Sequence, residues 1–310
     1  MTTSPSTFES ELRERLVNVI YTHWSKLGAA FAGADLDRAE VIDPEALLWA
    51  SLEFLATEPR LVEAVVSWLH ANKGRTIRQR FKSRLDYHEP RTAIWLAVAS
   101  TREERLPRYA ELPSQPCYGM ESPAAVIEFS HQLGHRARSY ERSELKRVGS
   151  LVAGPATILL RLRDILGSDA RHFLLLYLLC NPQGAPLEPV QEWTGYSSRT
   201  ISDTVSRWVD AGIVSHKYGI CRLLKPSAWE AILEGSYKQL SLVNWFGAFE
   251  ASIQLLRALA KGRLVGLSDD SSVIFSHRKE AHRAILSSGL NECGLRSPSI
   301  RHLLSLFPPG

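Results

Sequence analysis

Ser197, Ser198, Arg199, Thr200, Ser202, Asp203 and Ser206, all able to hydrogen-bond, crowd the stretch TGYSSRTISDTVSRWVDAGIV, residues 194–214. Among them Ile201, Val205, Trp208 and Val209 fall at i, i+4, i+7 and i+8, the spacing of one apolar stripe on a helix. The opposite face then carries hydroxyls, a guanidinium and a carboxylate. Such groups exchange hydrogen bonds with base edges in a groove about 12 Å wide, and with phosphate oxygens. The free amides of a helix N-terminus add donors suited to phosphate. The chemistry on offer is recognition.

These side chains need a rigid setting, and the flanking residues supply one. Gly195 permits a sharp turn, Ser197 is a good N-cap, and Gly212 ends the helix in the left-handed region. Ile213-Val214 then starts a strand, His216 to Gly219 turns the chain, and Ile220 to Leu224 returns before Pro226. Lys217 and Tyr218 stand on that turn, placed to touch adjacent phosphates. Upstream, helices are expected over Ala156–Leu166, Asp169–Leu179 (capped by Asp169) and Leu187–Thr194, where Pro189 falls in the first turn. Three helices, a glycine turn and a β-hairpin spell a winged helix-turn-helix.

Residues 169–226 resemble the winged-helix domain of MarR- and ArsR-type bacterial transcriptional regulators. The likeness rests on Gly195, Ser197, Thr200, Ile201 and Ser202, then on Val209, Ala211, Gly212, Ile213 and Val214. It implies a recognition helix near Ser197–Ala211 and a wing at Ser215–Cys221, in a regulator that binds double-stranded DNA. Two-fold DNA sites call for two-fold proteins, so a homodimer is expected. The resemblance covers under a quarter of the chain. In two places the sequence departs from the pattern: Gln191 replaces the small residue usual in the preceding helix, and Asp203 puts an acid on the reading face. Within the wing as bounded, Lys217 is the single permanent cation. These departures leave a second reading open, an antitoxin or adaptor that uses the same unit to dock a protein. Under the first reading Arg199, Lys217 and a basic cluster share one exposed face. Under the second that face is apolar or charge-mixed, with Trp193 or Tyr196 exposed.

The rest of the chain reads as mainly α, helical bundle regions flanking this central unit and its small sheet. An N-terminal helical domain is set at 1–150, the winged unit at 151–226 and a C-terminal helical region at 227–310. Ser6 and Glu9 have capping-box spacing, and Phe8, Leu12, Leu16, Ile20 and Trp24 follow at intervals of four. Asp43 and Pro44 open a second helix running to Leu55, a third covers Arg60–Ala71, and further helices are expected at 75–86, 91–101 and from Ala124. A proline-rich loop spans Glu111–Pro123. After Pro226 a helix from Trp229 to Ala260 presents a long apolar face, read as core or as a dimer surface, with shorter helices at 277–288 and 299–306.

At 310 residues with a net charge of +4, the chain is mildly basic, which is compatible with nucleic acid without requiring it. Cys117, Cys180, Cys221 and Cys293 are far apart and none stands at metal-ligand spacing from another; no disulfide framework is implied, and a reducing cytoplasm is expected. No signal-peptide pattern opens the sequence, and no apolar run would span a bilayer. Arg75, Arg78, Arg80, Lys82 and Arg84 offer an accessory phosphate-tracking surface, or else a solvated helix face paired with acids between Asp35 and Glu63. The basic run His135–Arg147 carries the same two readings, and the N-terminal helices could bind a protein partner. His131 and His135 have zinc spacing, but Gln132 stands where a hydrolytic site needs glutamate. Ser268 to Ser271 reads as a turn. No metal, cofactor or catalytic activity is expected.

Overall fold

The computed structural model describes residues 5–29, 40–54, 57–72, 75–77, 80, 148, 154–233, 240 and 242–260. These are mainly helical, with one two-stranded antiparallel sheet.

The four-residue apolar spacing folds as α1, Pro5–Lys26, and buries Leu12, Leu16, Ile20 and Trp24 completely. Pro5 occupies the first turn, where its missing N–H is harmless, so Ser6 lies inside the helix. Helix α2, Pro44–Ser51, does begin at its expected cap: the Asp43 carboxylate accepts from the amides of Glu45 at 3.2 Å and Ala46 at 3.3 Å. It stops four residues before Leu55, in a turn that still buries Leu52 and Phe54. Helix α3 spans Pro59–Ala71.

The middle of the chain folds around a second core. A 3-10 turn at Pro155–Thr157 leads into α4, Ile158–Leu166, and Asp169 caps α5, Ala170–Cys180, by accepting from Arg171 N–H at 2.8 Å. Then come α6, Glu188–Thr194, and α7, Ser198–Asp210. Strands β1, Val214–Lys217, and β2, Ile220–Leu223, pair Val214 with Leu223 through Lys217 with Ile220. The free edge of β2 takes one more partner. Ala185 N–H donates to Cys221 O at 3.0 Å and Ala185 O accepts from Cys221 N–H at 2.9 Å. Helix α8, Pro226–Leu233, follows.

The chain then breaks helix. The single helix expected from Trp229 to Ala260 is two, and the second, α9, is Trp245–Ala260. Helix α9 packs on α1 and α2, so its face of Phe246, Phe249, Ile253 and Leu256 is buried against the N-terminal helices. That face is not available to a second copy of the chain. Three tryptophans anchor this outer core, each with its indole N–H satisfied, as buried indoles require. Trp24 donates to Ser51 Oγ, Trp68 to Leu27 O and Trp245 to Val41 O, all at 2.8 Å.

The two cores interleave. Leu160 of α4 sits in the outer one, while Val41 and Ile77 sit in the inner one with Phe173, Trp193, Ile201 and Trp208. No helix among the described residues is long and apolar enough to cross a membrane. Arg78, Lys82, Arg84, His131 and His135, the basic run to Arg147, the loop at 111–123, the turn at 268–271 and the helices expected at 91–101, from 124, at 277–288 and at 299–306 lie outside the described residues.

Candidate nucleic-acid interface

The start of α7 is built by hydroxyls. Ser197 Oγ accepts from Thr200 N–H at 3.2 Å and lies 2.9 Å from Thr200 Oγ1, closing the first turn. Ser198 Oγ donates to Gln191 Oε1 at 2.8 Å. Gln191 therefore ties α6 to α7 at the very position where it departs from the small-residue pattern. Gly195, at φ 71°, makes the left-handed step between the two helices.

The far end is equally defined. Gly212, at φ 68°, donates to Val209 O, and Ile213 N–H reaches back to Trp208 O at 2.8 Å. That pair of bonds is a Schellman ending, and it sends the chain straight into β1. Ile201, Val205 and Trp208 are buried, whereas Val209 stays exposed. Ser198, Arg199, Thr200, Ser202, Asp203 and Ser206 are all exposed on the other side. Arg199 lies 3.9 Å from Asp203, a loose, solvent-bathed pair. Arg207 and Asp210 complete the exposed charges of α7, two of each sign.

The hairpin turns on Tyr218, at φ 53°, and Gly219, at φ 77°. Two consecutive positive φ values suit the twist of a two-residue hairpin, but they are ordinarily supplied by Gly, Asn or Asp. Here a tyrosine accepts that conformation and stands wholly in solvent. Register sorts the faces: Val214 and Leu223 point inward, while Lys217 opposite Ile220 and Ser215 opposite Arg222 share the outer face. Arg222 and Lys225 are exposed cations beyond the wing as first bounded. Alternation across the buried Cys221 and Leu223 was the signal for Arg222.

The accessory basic surface is corrected in part. Arg75 binds Asp164 through Nε at 2.9 Å and Asn72 through Nη1 at 2.9 Å. Arg80 is no surface residue: only 5% of it is exposed. Its Nη1 donates to Asp43 Oδ1 at 3.0 Å and Glu45 Oε2 at 2.9 Å, and its Nη2 to Asp43 Oδ2 at 2.6 Å. Its partners are the acids that the sequence offers for pairing, yet the pairing is internal. A buried carboxylate keeps its charge only beside such partners.

Burial by itself would raise the Asp43 carboxyl, but the Arg80 guanidinium, helped by Arg163 and the Ala46 amide, holds it below the usual carboxylate range. Arg163 extends the cluster, clasping Glu45 and donating through Nε to His172 Nε2 at 3.1 Å. Burial, reinforced by the charges of Arg163 and Arg80, keeps His172 well below its ordinary value, so it is neutral. Tyr196 is half-buried beside this cluster, and burial pushes its hydroxyl up to about 12. Trp193 is buried and donates to Val243 O at 3.1 Å. Burial likewise raises Cys180 to about 12 and Cys221 to about 11, leaving both thiols protonated and unreactive.

Compared with known proteins, the chain matches no family model, no curated protein and no solved structure.

Proposed function

We propose that the chain is a DNA-binding regulator in which α5, α6 and α7 with the β1–β2 hairpin form a winged helix-turn-helix, and α7 reads the major groove. One observation carries this reading. A helix capped at both ends offers an unbroken row of exposed hydroxyls with Arg199, and a hairpin bearing Lys217 and Arg222 on its outer face follows it directly. Ser198, Ser202, Ser206 and Arg199 are the proposed base-edge contacts, and Lys217, Tyr218 and Arg222 the proposed phosphate contacts. A homodimer would need a contact other than the α9 face.

The second reading, docking of a protein partner by an adaptor or antitoxin, is favoured by a different observation. The exposed charges of α7 cancel, and Val209, Ile220 and Leu224 are large exposed apolar side chains. Against it, Trp193 is buried and Tyr196 half-buried.

Fluorescence anisotropy with a duplex from the protein's own upstream region, titrated with salt, separates the two. DNA binding predicts affinity that falls steeply with salt, a slope shallower by about one ion for Lys217→Ala, and lost preference over random duplex for Arg199→Ala. Weak binding that is equal for both duplexes would support the protein-docking reading.

A further inference from the structure

Part of what holds the α6–α7 turn comes from outside the unit that contains it. Thr194 is the last residue of α6, and its carbonyl is one of the orphan acceptors that every helix leaves at its C-terminus. Arg80 Nε donates to that carbonyl at 2.8 Å. The same guanidinium grips Asp43 and Glu45 at the start of α2 and lies over two rings, Phe173 of α5 at 4.4 Å and Phe246 of α9 at 5.2 Å. Five groups thus hold it in place. One residue earlier, the Trp193 indole packs edge-on against Phe173 at 5.1 Å and donates to Val243 O, two residues before α9 begins. Thr194 Oγ1 in turn accepts from Tyr196 N–H at 3.3 Å, passing the constraint across Gly195 toward the cap of α7.

We propose that Arg80 and Trp193 are positioning residues that set the pose of α7, so that the outer helical core governs nucleic-acid binding through the α6–α7 turn. This rests on the reading of α7 as the binding helix. A guanidinium suits the task because its fork is planar and presents several donors at fixed angles. A lysine at 80 would keep the charge for Asp43 and Glu45, but its single ammonium cannot also serve the Thr194 carbonyl in the same geometry. Trp193→Phe removes the indole N–H together with part of the ring, and so breaks the second tie without touching any charge.

The test uses the full chain and four proteins: wild type, Arg80→Lys, Trp193→Phe and Arg199→Ala. Amide hydrogen exchange is measured without DNA, and anisotropy with the upstream duplex is measured at a temperature where circular dichroism shows equal folded fractions. For Arg80→Lys and Trp193→Phe, exchange at 195–200 is expected to quicken about tenfold while that of Phe249 to Ile253 holds. Duplex affinity is expected to fall about tenfold with the salt slope unchanged, since no phosphate contact is lost. Arg199→Ala should show the reverse, weakened binding with wild-type exchange. Equal quickening in both segments, or wild-type exchange at 195–200 in both positioning variants, would overturn the proposal. Should Arg80→Lys fail to fold, Trp193→Phe decides alone. Should wild type bind no duplex, the DNA reading falls, and the exchange pattern still judges the tie.

Discussion

Arg163 holds Glu45 with both arms of its guanidinium, Nη1 to Oε1 and Nη2 to Oε2, each at 2.8 Å, across 118 positions of sequence. The carboxylate also accepts from Ile77 N–H at 2.8 Å and from Arg80. Every lone pair that burial strips of water is thereby answered by the protein. Such a cluster need not stabilise more than apolar packing of equal volume would, but it severely penalises the loss of any one member.

Glu45→Gln should therefore cost about 3–5 kcal/mol, because two guanidiniums would be left buried against a single carboxylate. Urea unfolding measures the loss as a lower midpoint at unchanged slope. Glu45→Leu combined with Arg163→Met should cost clearly less than the sum of the two single changes. Simple additivity would mean that the bidentate pair is not energetically coupled.

Acid should destabilise the fold in two stages. His172 has its pKa depressed, so the unfolded chain takes up that proton first, and stability falls as pH drops below about 6.5 toward the folded value. Asp43 is also depressed, and its contribution is present above about pH 4 and lost as pH falls through the folded value. His172→Gln keeps an acceptor for Arg163 but cannot titrate. Its stability-against-pH curve should fall less steeply through the first window and retain the second.

Gly184 faces two obstacles to a side chain. Its φ is +92°, and an added Cβ would meet Ile220 Cγ2 at 2.8 Å and Cys221 O at 3.1 Å. Gly184→Ala should cost about 2–4 kcal/mol, combining left-handed strain with overpacking against β2. Because the clash falls where Ala185 pairs with Cys221, amide exchange at Cys221 should quicken most. Thermal unfolding by circular dichroism gives the total.

Tyr218 permits a prediction of opposite signs. Tyr218→Asn places a residue that tolerates the left-handed region at φ 53°, and should raise stability by about 0.5–1 kcal/mol. If the hairpin tip touches the duplex, the same change should weaken binding several-fold. Greater stability with unchanged affinity would remove Tyr218 from the interface.

What could be read from sequence alone was local. The caps Asp43, Asp169 and Ser197, the left-handed Gly195 and Gly212, and the hairpin limits all follow from rules that reach four or five residues. The exposed row on α7 followed from helical period. What escaped was set by partners far along the chain. Arg80 looked like one more surface cation because its acids lie 35 and 37 positions away and its carbonyl 114. The apolar face of α9 looked equally fit for a second copy, since periodicity marks a face as buried without naming what covers it. Helix α1 began one residue ahead of its polar cap signal, where Pro5 could take the first position.

The bond from the Trp245 indole to Val41 O spans 204 positions. During synthesis at about 5–20 residues per second, about 10–40 s separate the emergence of these two partners. Over that interval α1 and α2 have left the ribosome with no α9 to cover them, whereas every described element from Pro155 to Leu223 has already been made. The middle unit can thus close first, and the core built on α1 and α2 is completed only when the last described helix arrives.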